Sequence, residues 1–477
     1  MFSFAVLFPI LCGFLLLLLP PHSKRVREWI VLGVTLLTSL SVVVCLRHIG
    51  EKQVLLPLTE NLSLVLGLDG AGAVFSALVA FLWPLAVLYG FEYMEHEGGE
   101  NHFFAMYTLS YGVTLGISMA ANLITMYAFF ELLTLTTLPL VMHGSSQSAR
   151  RAGHRYMLYN MGGAALALIG ILLLVSQGAN SFVMGGHMQA FDEGHHRLVQ
   201  AAYLCTFLGL GVKAAVFPLH AWLPEVSVAP MPVTALLHAV AVVKAGAFAV
   251  LRVTYYSFGA SVLLGTKAQT AVILLSSFTI VYGAVRAVRE HHFKRRLVWS
   301  TVSNLSYILL AVSLMTPEGL LGGMAHLVFH ALMKITLFYC AGAFIVRTGK
   351  DQVEDLRGLA RFMPMTCFIY ALAALSLTGT PPLPGFISKY LIGSALISAG
   401  TWQGFVGLEA LLTAAVLTGI YILFPAFFMF FRSPDAKTEE VYDPGLKMAL
   451  PLAVLAVSIL LAGLFSNHLI TILTGLL

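Results

Sequence analysis

Charge is what this sequence has least of. Asp, Glu, Lys and Arg together make up 10% of 477 residues, against about 25% in an ordinary soluble domain. A soluble chain of this length would need polar surface that is missing here, so soluble-enzyme readings are excluded. Cysteine is scarce as well. Cys12, Cys45, Cys205, Cys340 and Cys367 each sit in an apolar stretch and none forms a CxxC pair. That spacing offers no iron–sulfur, zinc or disulfide framework. There is no GxGxxG opening a helix after a strand, no P-loop and no HExxH. No basic run is long enough to suggest nucleic acid, despite a net charge of +5. No cofactor is therefore expected in this chain, and any redox centre would belong to another subunit.

What is present is apolar sequence: 58% hydrophobic residues and a mean hydropathy of +0.87. A bilayer-spanning helix needs about 20 mostly apolar residues. The runs predict an all-α polytopic membrane protein with about fourteen spans, centred near residues 11, 38, 81, 112, 132, 167, 209, 240, 278, 305, 332, 380, 419 and 460. Period-2 alternation is absent, which argues against an outer-membrane barrel. Met1–Pro20 has no basic residues before its apolar run, and Lys24, Arg25 and Arg27 follow it. It reads as a retained first helix with its N-terminus outside. On that orientation the cytoplasmic loops hold 18 Lys and Arg and the opposite loops 5, as the positive-inside rule requires. The acidic loop Glu92–Glu100 is the exception on the inner side.

Four lysines fall inside spans: Lys213, Lys244, Lys334 and Lys389. A charge at a helix centre costs ~2.5–3.5 kcal/mol, so four would cost roughly 10–14 kcal/mol if unpaired. Snorkelling toward the headgroups is the alternative. Lys389 fits it best, whereas Lys213 and Lys244 are too deep in apolar sequence. Glu131 is the one acid deep in a span. His326, His330 and Lys334 are spaced i, i+4, i+8 along one helix face, and His238 precedes Lys244 in the same span. A lone membrane histidine usually serves as a helix–helix hydrogen bond. Three, each sharing a span with a lysine, look more like a relay. Desolvation favours the neutral amine and a nearby carboxylate the ammonium, so a group balanced between them can cycle a proton.

Proline marks two of these spans. Pro218 follows Lys213 by five residues, and Pro384 precedes Lys389 by five, after Pro381 and Pro382. Proline frees backbone carbonyls that need water or protein partners, so such breaks mark sites at membrane depth. The two broken spans, seventh and twelfth, cross in opposite directions. Spans four to eight and nine to thirteen then make two inverted five-helix repeats. The expected division is 1–100 for helices one to three, 101–255 and 256–432 for the repeats, and 433–477 for helix fourteen.

These residues resemble a known family. Gly211–Lys213 with Pro218–Glu225 and Ala229-Pro230, Phe130-Glu131, Leu237-His238 to Lys244, Lys294–Tyr307, His330–Lys334 and the Pro381–Lys389 break are similar to the antiporter-like subunits of respiratory complex I. The family also includes subunits of energy-converting hydrogenases and multisubunit Na+/H+ antiporters. The resemblance covers roughly residues 65–430. It implies a proton-translocating module in which Glu131 pairs with Lys213. Lys244 and His238 continue the axis, His326, His330 and Lys334 lie beyond, and Lys389 is the terminal site, where some members carry glutamate. The segments Val353–Pro364 and Gly385–Gly400 look closer to hydrogenase-type and antiporter subunits than to a mitochondrial-type complex I. The leading expectation is a proton-translocating subunit of a redox-driven complex in a prokaryotic cell membrane. Its partners would be other integral membrane subunits, further antiporter-like subunits among them, and peripheral redox subunits with iron–sulfur clusters. The alternative is a subunit of a multisubunit Na+/H+ antiporter without a redox partner.

Overall fold

Within lipid, a backbone polar group has to be satisfied inside its own segment, so the apolar runs fold as helices and short polar residues set where they start. Asp69, Asn122, Ser146, Thr266, Thr316 and Thr401 each accept a hydrogen bond from the backbone N–H three residues on, at 2.8–3.2 Å, the usual N-cap geometry. Hydroxyls inside the helices bond back to carbonyls one turn earlier, as Thr35 does to Val31 and Thr108 to Phe104. Hydroxyls paired in this way add no unpaired polar group at depth, although the Ser257 and Ser276 hydroxyls are buried with no partner among the described residues.

The computed structural model describes residues 1–477 apart from 60–61, 145, 188–192 and 435–440. Helices α1 (Phe2–Leu18) and α2 (Lys24–Cys45) lead to a hairpin of β1 (Lys52–Thr59) and β2 (Leu62–Gly67). Then come α3 (Gly70–Tyr93), α4 (Glu100–Ser118), α5 (Leu123–Val141), α6 (Gln147–Ser176), α7 (Glu193–Gly211) and α8 (Met231–Phe258). The remainder is α9 (Lys267–Arg289), α10 (Phe293–Ser313), α11 (Pro317–Thr348), α12 (Pro364–Thr378), α13 (Pro384–Ser398), α14 (Trp402–Phe431), α15 (Leu446–Leu464) and α16 (Ser466–Leu476).

Among the described residues, nine helices are long and apolar enough to cross a membrane, or ten if Glu354–Arg361 and α12, bent by 116°, form one span. The chain is thus an all-α polytopic membrane protein with one small hairpin, which the hydropathy pattern did not foretell. Helices also occupy the expected centres near 11, 112, 209 and 305, whereas the centre near 380 falls in the break between α12 and α13; α1 has 17 residues and α12 and α13 have 15 each. In α10 the run Ser300, Thr301, Ser303, Asn304 and Ser306 dilutes the hydropathy.

The core is formed by α8 and α11, whose most apolar windows are 100% and 89% buried, with α10 beside them, while α2 is only 28% buried. The most enclosed helices are therefore those that carry His238, Lys244, His326, His330 and Lys334. Burial also takes in charges expected in loops. Arg27 pairs with Glu100 and Arg252 with Asp69. Lys294 donates to the Ala229 carbonyl, and Arg296 Nε to the Glu290 carbonyl at 2.7 Å. Each buried cation has an acceptor, which is what makes its burial tolerable.

Candidate functional site

Lys213 lies just past the end of α7, where the chain leaves the helix at Gly211 and restarts as a short helix at Trp222. The break is held by protein groups. The Trp222 indole donates to the Val212 carbonyl at 2.9 Å, and Phe217 N to Thr279 Oγ1 at 3.2 Å. Ala215 adopts φ +56°, a left-handed conformation that costs a non-glycine residue energy. Gly246 of α8 lies against this bend. A Cβ there would come within 2.6 Å of Ala214 N and 2.7 Å of Lys213 Cβ, so only glycine permits the crossing.

The Lys213 ammonium donates to the Phe130 carbonyl at 2.7 Å and to Thr134 Oγ1 at 2.5 Å, and sits 4.2 Å from the Phe130 ring centroid. It thus reaches the turn of α5 that carries Glu131. Among the described residues no ion pair within 4.0 Å joins it to Glu131, whose side chain is half-buried. The side-chain contact goes to Thr134, one turn along from Glu131.

Helix α8 is irregular where the sequence suggested nothing. Leu236–Val240 is a π-turn containing His238, and the helix resets at Ala241 before Lys244. Such turns often occur at functional sites. Both nitrogens of His238 are buried with no hydrogen-bond partner among the described residues, and its ring lies 5.3 Å from Phe338. Lys244 Nζ lies 2.5 Å from His330 Nδ1. The His330 ring stacks on His326 at 5.5 Å, and His326 Nδ1 is 2.9 Å from Ser388 Oγ, next to Lys389. Tyr307 touches both ends of that step, 5.4 Å from the His326 ring and 5.8 Å from Lys389 Nζ.

Lys334 turns to α10, donating to the Leu297 carbonyl at 2.8 Å and to the Ser300 hydroxyl. Lys389 does not snorkel. It is 7% exposed, and its ammonium caps the C-terminus of α12 through the Leu377 and Thr378 carbonyls at 2.8 and 3.0 Å. A cation is favoured there because helix-end carbonyls lack intrahelical donors. A cavity of about 430 Å³, lined by Thr378, Phe386, Tyr390 and Ser394, opens beside it.

The structure therefore joins Lys244, His330 and His326 to Ser388 and Lys389, and it leaves Lys213 on the far side of Gly246. Reasoning from sequence missed the hydroxyls Thr134, Ser300, Ser388 and Tyr307. Their signal was there: each is polar, sits in an apolar span and lies within a turn of a motif residue. Among the described residues no group of three or more His, Cys, Asp or Glu could hold a metal.

The profile of the NADH:quinone oxidoreductase/Mrp antiporter transmembrane family matches residues 120–418. NADH-quinone oxidoreductase subunit N of Desulforudis audaxviator is 29% identical over 418 residues, covering 83% of this chain and 80% of that protein. A probable K(+)/H(+) antiporter subunit of Rhizobium meliloti is 30% identical over 412 residues, covering 85% of this chain but 40% of its own length. Of two staphylococcal antiporter subunits that it matches, the chain spans about half (53% and 52%). A chain of respiratory complex I from Thermus thermophilus shares the fold, with TM-score 0.84, 24% identity and coverage of 100% and 98%. A chain of the Mrp complex from Dietzia superposes with TM-score 0.86 at 25% identity, covering 99% of this chain and 51% of that one.

Proposed function

Because the chain belongs to the NADH:quinone oxidoreductase/Mrp antiporter family of transmembrane subunits, we propose that it is a proton-translocating subunit of a redox-driven membrane complex. The observation that carries this reading is the buried run from Lys244 through His330 and His326 to Ser388 and Lys389. Charged or chargeable groups at membrane depth are costly and mark ion pathways. Four such groups, with the Ser388 hydroxyl between two of them, are far more than helix packing needs. Lys213, held one turn from Glu131, is the first station, His238 and Lys334 flank the middle, and Lys389 is the last. Lysine and histidine suit the task because each can give up its proton.

The architecture that goes with this function is fourteen spans with the N-terminus outside. Residues 101–255 and 256–432 form two inverted five-helix repeats, flanked by 1–100 and 433–477. The basic-residue asymmetry and the paired lysine–proline breaks support it. The chain works in a prokaryotic cell membrane within a multisubunit complex that includes further antiporter-like subunits. Electron transfer takes place on partner subunits bearing iron–sulfur clusters. A second reading, membership of a secondary Na+/H+ antiporter with no redox partner, is favoured by the 30% identity to a protein of the antiporter type.

Proton uptake into vesicles containing the purified complex separates the two. Uptake driven by an electron donor and acceptor, and blocked by Lys244→Met, supports the first. Uptake driven only by an imposed cation gradient supports the second, and no proton movement in either case defeats both.

A further inference from the structure

The end of α8 farthest from the basic loops holds a buried ion pair that the translocation run does not use. Arg252 NH1 pairs with Asp69 Oδ2. Asp69 Oδ1 also caps α3 through Gly72 N at 2.8 Å, and Arg252 NH2 reaches the Ala120 carbonyl at 3.4 Å. The guanidinium side chain is 2% exposed and the carboxylate side chain 35%, so the pair bridges the buried interior and the surface. Arg252 Nε is buried and has no partner among the described residues.

Two further features align this pair with the translocation run. Lys244, Phe248 and Arg252 are spaced i, i+4, i+8 in one helical segment, so they form a single stripe about 12 Å long. Phe248 is the apolar rung between the two cations. It packs on Phe75 at 4.8 Å and under the guanidinium at 5.1 Å, while Phe182 and Tyr256 cover the guanidinium at 4.7 and 5.2 Å. Above the pair, a cavity of about 70 Å³ has Glu51, Lys52, Asp69 and Arg252 in its wall beside Leu68 and Phe182. That is room for a few waters. A simple staple between α3 and α8 would need neither the cavity nor the alignment.

We propose that Asp69 and Arg252 form the outer gate of the translocation route, with Phe248 as its apolar plug and the hydrated proton as the species it admits. Latched to Asp69, the guanidinium is held over Phe248 and closes the way between Lys244 and the outer cavity, so no continuous path admits a proton from outside. Release of the latch opens the stripe, and Asp69 passes the departing proton to water. Arg252 is a positioning residue, since a guanidinium does not give up its proton. This rests on the reading of Lys244 as a translocation group.

The test uses the whole complex in vesicles, with an imposed pH gradient and no electron donor. Asp69→Asn should raise passive proton influx about tenfold, the change produced by lowering a barrier by ~1.4 kcal/mol. Adding Lys244→Met should return the leak to the wild-type level, and the exchange Asp69→Arg with Arg252→Asp should reseal the wild-type background. An assembled Asp69→Asn complex that is as tight as wild type overturns the gate, as does a leak indifferent to Lys244→Met. If Asp69→Asn does not assemble, Phe248→Ala keeps the ion pair and carries the same expectation, and its tightness would overturn the gate equally. Donor-driven uptake by the wild type in the same vesicles reports on the functional reading independently. Its failure beside an unaltered leak result marks which of the two is wrong.

Discussion

Lys244 Nζ lies 2.5 Å from Nδ1 of His330, which binds α8 to α11 through two basic groups and no acid. Both side chains are fully buried, and a proton on one opposes a second on the other. On the proposed function this contact is a transfer step in which an amine and an imidazole share one proton, since a static brace would be better built from a lysine and a carboxylate.

If the two share a proton, they act as a unit. Lys244→Met and His330→Gln should each lower proton uptake by the complex by ~100-fold, the usual weight of a positioned acid–base group. The double variant should be no worse than the poorer single one, as expected for groups that work together. Losses that multiply in the double variant would show two independent roles.

Ser388 is expected to orient His326. Its hydroxyl is 2.9 Å from Nδ1, and the partner of one ring nitrogen sets the role of the other. Ser388→Ala should slow uptake by about tenfold, roughly one lost hydrogen bond, with assembly and melting temperature nearly unchanged. Wild-type uptake would mean that the 5.4 Å contact with Tyr307 suffices to hold the ring.

Much of this was readable in the residues, and the rest failed for identifiable reasons. The Pro218 and Pro384 breaks marked where the helices are interrupted beside Lys213 and Lys389, because the missing proline N–H acts locally. The π-turn at His238 left no mark, since Leu236–Val240 contains neither glycine nor proline. The hairpin Lys52–Gly67 was hidden by its short length beside long apolar runs. The Asp69–Arg252 pair joins distant parts of the chain, so only tertiary packing reveals it. Glu131 was the expected partner of Lys213. The rotation of α5 that gives the contact to Thr134 instead depends on how the helices pack, and no spacing rule encodes it.

Gly246→Ala tests the crossing of α8 over the Lys213 bend. The added carbon would meet backbone at 2.6 Å, which cannot yield as a side-chain tip could. Overpacking of this kind costs about 1–3 kcal/mol. The variant should melt at a lower temperature and, by displacing Lys213, lose uptake. Full stability and full uptake would mean that the bend can shift without consequence.

Glu92 offers a control away from the run. It accepts from Gly445 N at 2.6 Å and Met448 N at 3.2 Å, capping α15, and from Arg347 at 3.3 Å. Glu92→Ala should cost ~1–2 kcal/mol through the lost cap, seen as a lower melting temperature. Donor-driven uptake at low temperature should persist.

The most exposed prediction concerns Lys213. Its ammonium is satisfied by the Phe130 carbonyl and Thr134 Oγ1, so the amine can reside there charged without direct contact with Glu131. Lys213→Ala should abolish uptake while the complex still assembles, because the variant removes a desolvated charge instead of stranding one. Lys213→Arg should not restore uptake, since a guanidinium stays protonated and cannot cycle. Thr134→Val removes the side-chain acceptor but leaves the carbonyl, so uptake should fall only several-fold, within the range of one hydrogen bond to a charged group. The measurement is initial proton uptake by vesicles holding equal amounts of assembled complex. Wild-type uptake by Lys213→Ala would place the proton route elsewhere. Equal uptake by Lys213→Arg would mean that a fixed positive charge at this bend is all that translocation requires.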